Sequence, residues 1–421
     1  MSLHPDDHRD RPRPGVDFTD TSLFASGPPY DVFERLRRES PLTWSDAPSH
    51  WPVDEGRGWW NLVRAQDIAD VIRDAETFSS WQGGITIPSS AVGSLESVRA
   101  MMIGKDPPEH TRQRKVVTSA FTPKRVADLE TSIRANVTRA IDAVIHQGQC
   151  DFVESIAGPL PMNMVADLLG VPAADRPHLF RWTDAIFGFN DPAAQAELSV
   201  IEALAQATDY MVQLDRERQR CPADDLVSTI ARAEVDGDRL AVDQRAGLFI
   251  QLFAAGVDTT RSTLALGMEA LIRHPEQRRR LLEDPSLIAR GVEEINRWTS
   301  VVMYMRRTAT RDVEIGNQQI RAGEAVVCWH ASANRDPDAI ADPARFDVAR
   351  THCPHQAFGG AGRHFCLGAG LARLELQVAF SELLRRMPDL VLDGPLERSP
   401  ANWLQSVRRM PVRFSPAAPG R

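Results

Sequence analysis

Long apolar runs are missing from this chain. No window reaches about 18 uncharged apolar residues, so no membrane-crossing helix is expected. The opening residues, MSLHPDDHRDRPRPG, hold no apolar core, which excludes the pattern of a signal peptide or a membrane anchor. A basic excess is missing too: 57 Asp and Glu against 49 Lys and Arg leave a net charge of −8, which argues against nucleic acid as the main partner. Cysteines are few, at 150, 221, 328, 353 and 366, an odd and scattered set. That excludes a disulfide framework and fits a reducing compartment such as the cytoplasm. No internal repeat is present, so a solenoid is not expected. What remains is a chain of 421 residues with the 43% apolar and 25% charged content of an ordinary globular protein.

The stretch with the most chemistry runs from Phe358 to Glu375, FGGAGRHFCLGAGLARLE. Its first half holds Gly359, Gly360 and Gly362 and cannot form a regular helix. Its second half, from about Leu367 to Met387, carries Leu371, Leu374, Val378, Leu383 and Leu384 at helical spacing. Cys366 sits at the junction. A thiolate there feels the positive end of the helix dipole and nearby backbone N–H groups, which lower its pKa. The glycine loop lets a large flat group approach the backbone, and Arg363 and His364 add donors. These are the requirements of a cysteine thiolate that ligates haem iron. Three other readings compete. A lone Cys is most often a small buried hydrophobe. A phosphate loop of the G-x-G-x-x-G kind would need Gly where Phe365 stands, and no Lys-Ser/Thr pair follows Gly368. A zinc site could draw on His352, Cys353, His355, His364 and Cys366.

Three further segments carry polar groups in patterned places. Asp106 to Pro123 reads DPPEHTRQRKVVTSAFTP, with Asp106 as a cap and a Pro in the first helical turn. His110 and Arg114 then share one helix face, although Arg112, Arg114 and Lys115 also read as a solvated basic face. Val242 to about Arg273 is the longest periodic segment, spanning roughly 48 Å as a helix. Its middle, Ala254-Ala255-Gly256-Val257-Asp258-Thr259-Thr260, is rich in poor helix formers. A Thr hydroxyl there can bond back to a carbonyl one turn earlier and open a groove; the alternative is a satisfied buried polar spot. Glu294 and Arg297, three apart on VEEINRW, read as a surface ion pair or as a buried one.

Taken together these residues resemble the cytochromes P450. The haem-ligand signature G-x-(His/Arg)-x-Cys-x-Gly is similar to the run in which Gly362 lies four before Cys366, His364 two before and Gly368 two after. The family's usual Phe lies seven before the Cys; here Gly359 holds that place and Phe358 is one further back. The Phe-Gly-Gly-x-Gly form resembles that of actinobacterial members that oxidise sterol side chains and methyl-branched lipids. The resemblance spans nearly the whole chain. It implies a mainly α fold with a small β region as a single domain over residues 17–421, behind a mobile tail over residues 1–16. Haem b then lies between the long central helix and the Cys366 loop.

The same resemblance assigns roles residue by residue. Cys366 becomes the iron ligand, with Phe358, Gly359, His364 and Gly368 in its loop. His110 and Arg114, in a D-P-P-x-H-x-x-x-R element, and Arg307, in R-x-A, become propionate partners. Ala255 and Gly256 lie over the haem, Thr259 bonds dioxygen and Asp258 helps deliver protons. Glu294 and Arg297 become a buried structural pair completed by Arg345 of DPARF. Ile85, Ile87, Ala254, Val302, Met303, Trp403 and Leu404 surround the substrate, with Arg99 able to favour a carboxylate-bearing one if turned inward. The implied activity is monooxygenation of a sizeable hydrophobic molecule: a steroid, a terpenoid or a methyl-branched lipid. Electrons come from a separate ferredoxin and ferredoxin reductase, with Arg112, Lys115 and Arg363 as docking candidates. Two rivals are a peroxide-driven haem-thiolate enzyme and a haem-based sensor without turnover; the Asp258-Thr259 pair speaks against both.

Overall fold

The computed structural model describes residues 10–51, 57–189 and 191–418. Apolar residues at helical spacing become helices that share a core. α1 (Tyr30–Glu39) buries Phe33 and Leu36, and α2 (Ala65–Arg73) buries Ile68, Val71 and Ile72. α3 (Glu109–Thr118) follows Pro108. α4 (Glu130–Val144), α5 (Pro159–Leu169), α6 (Arg176–Phe187) and α7 (Val200–Arg220) form the helix-rich block. α5 ends where Gly170 takes the left-handed conformation at φ +76°, and α7 opens on a capping box between Ser199 and Glu202. α8 (Val242–Arg273) keeps all 32 residues expected of it, and α5, α6 and α7 pack against it. So do α9 (Ile288–Thr299) and α10 (Ala369–Arg386). Its polar middle does not break it, because burial on nearly every side outweighs local propensity.

The β region is small. β1 (Leu42–Asp46), β2 (Gly58–Leu62), β3 (Phe78–Ser79), β4 (Met305–Ala309) and β5 (Ala325–Cys328) form a sheet in the order β1-β2-β5-β4-β3. Only β2 and β5 run parallel. The sheet fixes Arg307 opposite Val326. Residues 80–104 hold a short helix, Leu95–Ala100, between two turns of 3-10 helix. No helix among the described residues is long and apolar enough to cross a membrane.

The tail expected over residues 1–16 is bound down from Arg11 onward; its first nine residues lie outside the described ones. Arg11 pairs with Glu324 at 2.7 Å and lies over the rings of Trp44 and Trp60. The Pro12 carbonyl accepts from Trp44 N, and the Pro14 carbonyl accepts from Arg35. A proline-rich polar segment is held here because a cation finds both a buried carboxylate and aromatic faces.

Glu294 and Arg297 are fully buried and bonded at 2.6 and 2.7 Å. Arg297 also donates to the carbonyls of Asn334, Pro343 and Arg345. The third member expected at Arg345 is instead Arg350, whose Nε donates to Glu294 at 3.0 Å. Arg345 contributes only its carbonyl, and its side chain is exposed. The reason is register: Phe346 and Val348 take the buried positions and turn Arg345 to solvent.

A void of about 10 Å³ lies where α4, α5, α8 and α10 meet, with Asn136, Thr260 and Glu375 on its wall. This is near the space of one water. The Glu375 carboxyl is buried and its Oε1 has no partner. Burial, with no cation beside it, pushes the pKa from 4.5 up to about 8.

Two outcomes follow from these buried groups. Arg350→Ala is expected to lower stability by about 3 kcal/mol, the low end for a broken buried pair because Arg297 remains. Arg345→Ala should stay within about 0.5 kcal/mol. Thermal midpoints of the two variants test the ranking, and equal values would return the role to Arg345. For Glu375, the folded chain keeps its proton while the unfolded carboxyl has ionised. Its contribution is therefore complete below pH 4.5 and is lost as pH rises towards 8. Glu375→Gln should flatten that part of the stability profile, read from urea midpoints at a series of pH values; an unchanged slope would mean the carboxyl titrates normally.

Candidate active site

The Cys366 loop is shaped by glycine and anchored by backbone. Gly359 and Gly360 sit at φ +84° and +65°, a region that penalises side chains. Gly362 presses on α2: a Cβ there would meet the Ile72 carbonyl oxygen at 2.4 Å. Cys366 N donates to the Phe358 carbonyl at 3.0 Å, which closes the loop and brings Phe358 beside the sulfur-bearing residue. The Cys366 side chain is accessible, yet enough protein surrounds it for burial to push its thiol up. The two observations agree if the residue forms the wall of a hollow. The N–H groups of Gly368 and Ala369 and the charges of Arg114 and Arg373 pull the other way. A bound metal cation adds to that pull and deprotonates a coordinating thiol outright. At Gly368 a Cβ would project into open space.

Two guanidinium groups and two imidazoles short of an anion gather beside this loop. The rings of His110 and His364 lie 4.2 Å apart, and His110 Nδ1 is buried without a partner. Burial first, then the charges of Arg114, Arg307 and Arg363, pushes the His110 pKa down to about 4. His364 is held well below its ordinary value by burial and by Arg307, His110 and Arg114. Arg307 is buried, and its guanidinium donates to the Arg306 carbonyl. Arg114 spends one bond on the Phe365 carbonyl at 2.8 Å. The one carboxylate nearby, Asp106, is occupied by Ser79 Oγ and Ser80 N. Two guanidinium groups and two imidazoles short of anions fit a ligand that brings carboxylates of its own. His110, Arg114, Arg307 and His364 are thus brought together, and the haem propionates have the chemistry they lack.

Across α8 the polar turn is open. Ala255 is exposed and Gly256 and Thr259 are half-buried, although Phe253, Ala254, Val257 and Asp258 beside them are buried. Thr259 Oγ1 donates to the Ala255 carbonyl at 2.6 Å, one turn back. Leu367, next to Cys366, packs against the same apolar cluster as Ala254 and Val257. The residue expected against the cofactor at Gly256 has a packing task as well: a Cβ there would meet Val165 of α5 at 2.8 Å.

Asp258 lies behind the opening rather than in it. Its carboxylate accepts from Arg261 and, at 3.2 Å, from Ser406, and its Oδ2 has no partner. Burial pushes this carboxyl up, and Arg261 pulls it down. Arg261 also bonds Asp184 of α6 at 2.7 Å, and Asp184 is 39% exposed, so the three link solvent to the polar turn. Arg261 was readable as a partner, three residues after Asp258 on one helix face. Asp184 and Ser406 come from distant segments and left no local signal.

The residues expected around the substrate are apolar and largely buried. Ile85, Ile87, Ala254, Met303 and Trp403 share one buried cluster, and Val302 and Leu404 join as a bridge beside it. Trp403 is held by Met303 N donating to its carbonyl and by its own Nε1 donating to the Tyr304 carbonyl. Phe187 and Phe189, not singled out from sequence, place their rings 5.7 and 5.9 Å from Trp403. Arg99 is engaged elsewhere, over Trp81 and bonded to the carbonyls of Trp81 and Gln82. The zinc alternative disperses: His355 goes to Glu293, Cys353 lies against Glu294, and His364 faces His110. Among the described residues no three His, Cys, Asp or Glu side chains converge on a metal-sized site.

Comparison with known proteins agrees with this geometry. Residues 113–388 match the family model described as Cytochrome P450. A methyl-branched lipid omega-hydroxylase of Mycobacterium tuberculosis is 41% identical, covering 91% of this chain and 90% of its own. A steroid C26-monooxygenase of Rhodococcus jostii is 34% identical over 96% of this chain and 86% of its own. Among solved structures, a Mycobacterium marinum cytochrome P450 in complex with pseudoionone superposes with a TM-score of 0.89 at 38% identity, covering 96% of this chain and all of the other. Likeness of this extent, in sequence as well as in fold, goes beyond shared architecture, and the chain belongs to the cytochrome P450 family.

Proposed function

We propose that this haem-dependent monooxygenase hydroxylates a sizeable hydrophobic molecule, a methyl-branched lipid chain, a steroid or a terpenoid, with electrons from a ferredoxin and its reductase. The observation that carries the substrate class is the wall of Ile85, Ile87, Ala254, Met303 and Trp403, buried in one cluster with no charged side chain among them. Such a wall orients a guest by shape and apolar contact, at roughly 25 cal/mol per Å² buried. Ala254 leaves room, and Met303 repacks around bulk. Relatives named for methyl-branched lipids and for steroids favour the same class.

When bound, haem supplies the iron centre at which dioxygen is reduced, and thiolate ligation favours O–O cleavage. The chain's own groups do the rest. Cys366 provides the thiolate, with the Gly368 and Ala369 N–H groups beside it. His110, Arg114, Arg307 and His364 hold the propionates. Thr259 presents a hydroxyl at the open turn, poised against the Ala255 carbonyl. Asp258, buried behind that turn, is the proton-delivering carboxyl, and Arg261 stays protonated and holds it while also bonding Asp184 at the surface. A sensor without turnover, or an enzyme run on peroxide, has no need of such a carboxyl. Lys115 and Arg363 are exposed and available to an acidic redox partner, whereas Arg112 is engaged by Glu109 and Asp236.

Two measurements test this reading. In Thr259→Ala the haem and substrate are expected to bind as before, while most reducing equivalents leave as peroxide. Asp258→Asn should slow turnover by about 10²-fold or more, within the range for losing a positioned proton donor. A fully coupled Thr259→Ala enzyme would place proton delivery elsewhere. For the substrate, a titration panel watched by the low-to-high-spin shift of ferric haem should respond to sterols, terpenoids or branched fatty acids. Tight shifts with small polar aromatics alone would sink the assignment.

A further inference from the structure

A second concavity lies away from the Cys366 loop and the apolar wall. It is a cleft of about 740 Å³ between α1, the last turns of α8, the end of α9 and residues 335–344. Leu266, on its wall, is seven residues beyond Thr259, roughly 10 Å along the helix. Much of the surface is apolar, from Pro28, Leu266, Ala270, Trp298 and Pro343. Its charges are unbalanced. Glu269 is already shared between Arg273 and Arg398 at 3.0 and 2.8 Å, and Glu34 pairs with Arg38.

That leaves two guanidinium groups, Arg37 and Arg335, each 8% exposed. Arg37 donates to Ser332 Oγ and to the Ser332 carbonyl; Asp336 and Glu34 act on it from beyond bonding distance. Arg335 has its charge over the rings of Trp298 and Tyr30, at 3.8 and 4.6 Å, and donates Nη2 to the Trp298 carbonyl. Its Nη1 is buried and has no partner. Burial pulls the Arg335 pKa down to about 10, and the attraction of Glu294 is opposed by Arg297 and Arg350. A buried cation without an anion is costly, and an entering carboxylate forms a charge-assisted bond with it.

We propose that this cleft binds an amphipathic organic carboxylate, with its acid group at Arg335 and Arg37 and its apolar body along Leu266, Ala270 and Trp298. The volume suits a molecule of ordinary ligand size. A single unpartnered guanidinium nitrogen beside an apolar wall fits a monoanion with a hydrocarbon body better than a free inorganic ion. The site shares no residue with the apolar wall above the haem, so it stands apart from the substrate reading.

Decanoate is the probe, with decanol and inorganic phosphate as controls. The haem-loaded enzyme carries an environment-sensitive dye at Ala344→Cys, an exposed position on the cleft, in a Cys221→Ser background because Cys221 is also exposed. The ferric haem spectrum is followed in parallel and reports any binding at the iron. Decanoate is expected to give a saturable dye response that Arg335→Gln weakens at least tenfold, with the haem response to decanoate unchanged. Decanol binding as tightly as decanoate, phosphate competing on equal terms, or an unaffected Arg335→Gln variant would each overturn the proposal. If Arg335→Gln fails to fold, Ala344→Trp fills the cleft from its rim. It should abolish the rise in thermal midpoint that decanoate gives the parent enzyme, and a rise that persists would count against the site.

Discussion

The fold has to keep buried positive charge unpaired. Arg114 and Arg307 converge with His110 and His364 beside Cys366 with almost no protein anion among them, and burial with the two guanidinium charges keeps both imidazoles neutral. Left alone, such a cluster would favour opening to water or collapse onto a carboxylate. Rigid surroundings prevent both. Arg307 is fixed by sheet register, Arg114 by the Phe365 carbonyl, and Asp106 is kept busy by Ser79 and Ser80. The Glu294–Arg297–Arg350 network anchors the segment that leads into the ligand loop. Holding the cluster open is work done by the whole scaffold, and a ligand with carboxylates of its own would complete it.

Much of this was legible from residues alone. The length of α8, the break between glycine loop and helix at Cys366, and the apolar faces of α1 and α2 follow from periodicity and from the special backbone needs of glycine. Residues within one motif were placed well because a helix or tight loop fixes their neighbours. The illegible parts depend on which distant chain comes alongside. Arg350 replaces Arg345 because burial of Phe346 and Val348 sets the register, and no local pattern reveals that. Asp184 and Ser406 reach Asp258 from elsewhere in the sequence. Arg11 holds a segment whose composition reads as mobile, since its partners Glu324, Trp44 and Trp60 lie far along the chain. The zinc candidates were adjacent in sequence, but an extended loop sends their side chains to different neighbours.

Asp258 and Glu375 show how one fold treats buried carboxyls differently around the same helix. Both are buried, and for both burial favours the protonated form. Asp258 is given Arg261, which in turn reaches Asp184 at the surface, so its charge has a partner. Glu375 is given only the polar edges of Asn136 and Thr260 around a void near the size of one water. The first arrangement opposes burial, because Arg261 lowers the cost of the ionised state. The second suits a group that stays neutral. An arginine serves better than a lysine between the two aspartates, since its separate Nη1 and Nη2 donate to Asp184 and Asp258 at once while the planar group stays buried. The polar turn of α8 is therefore open on the face of Ala255 and Thr259, while Asp258 and Arg261 are held buried on the other.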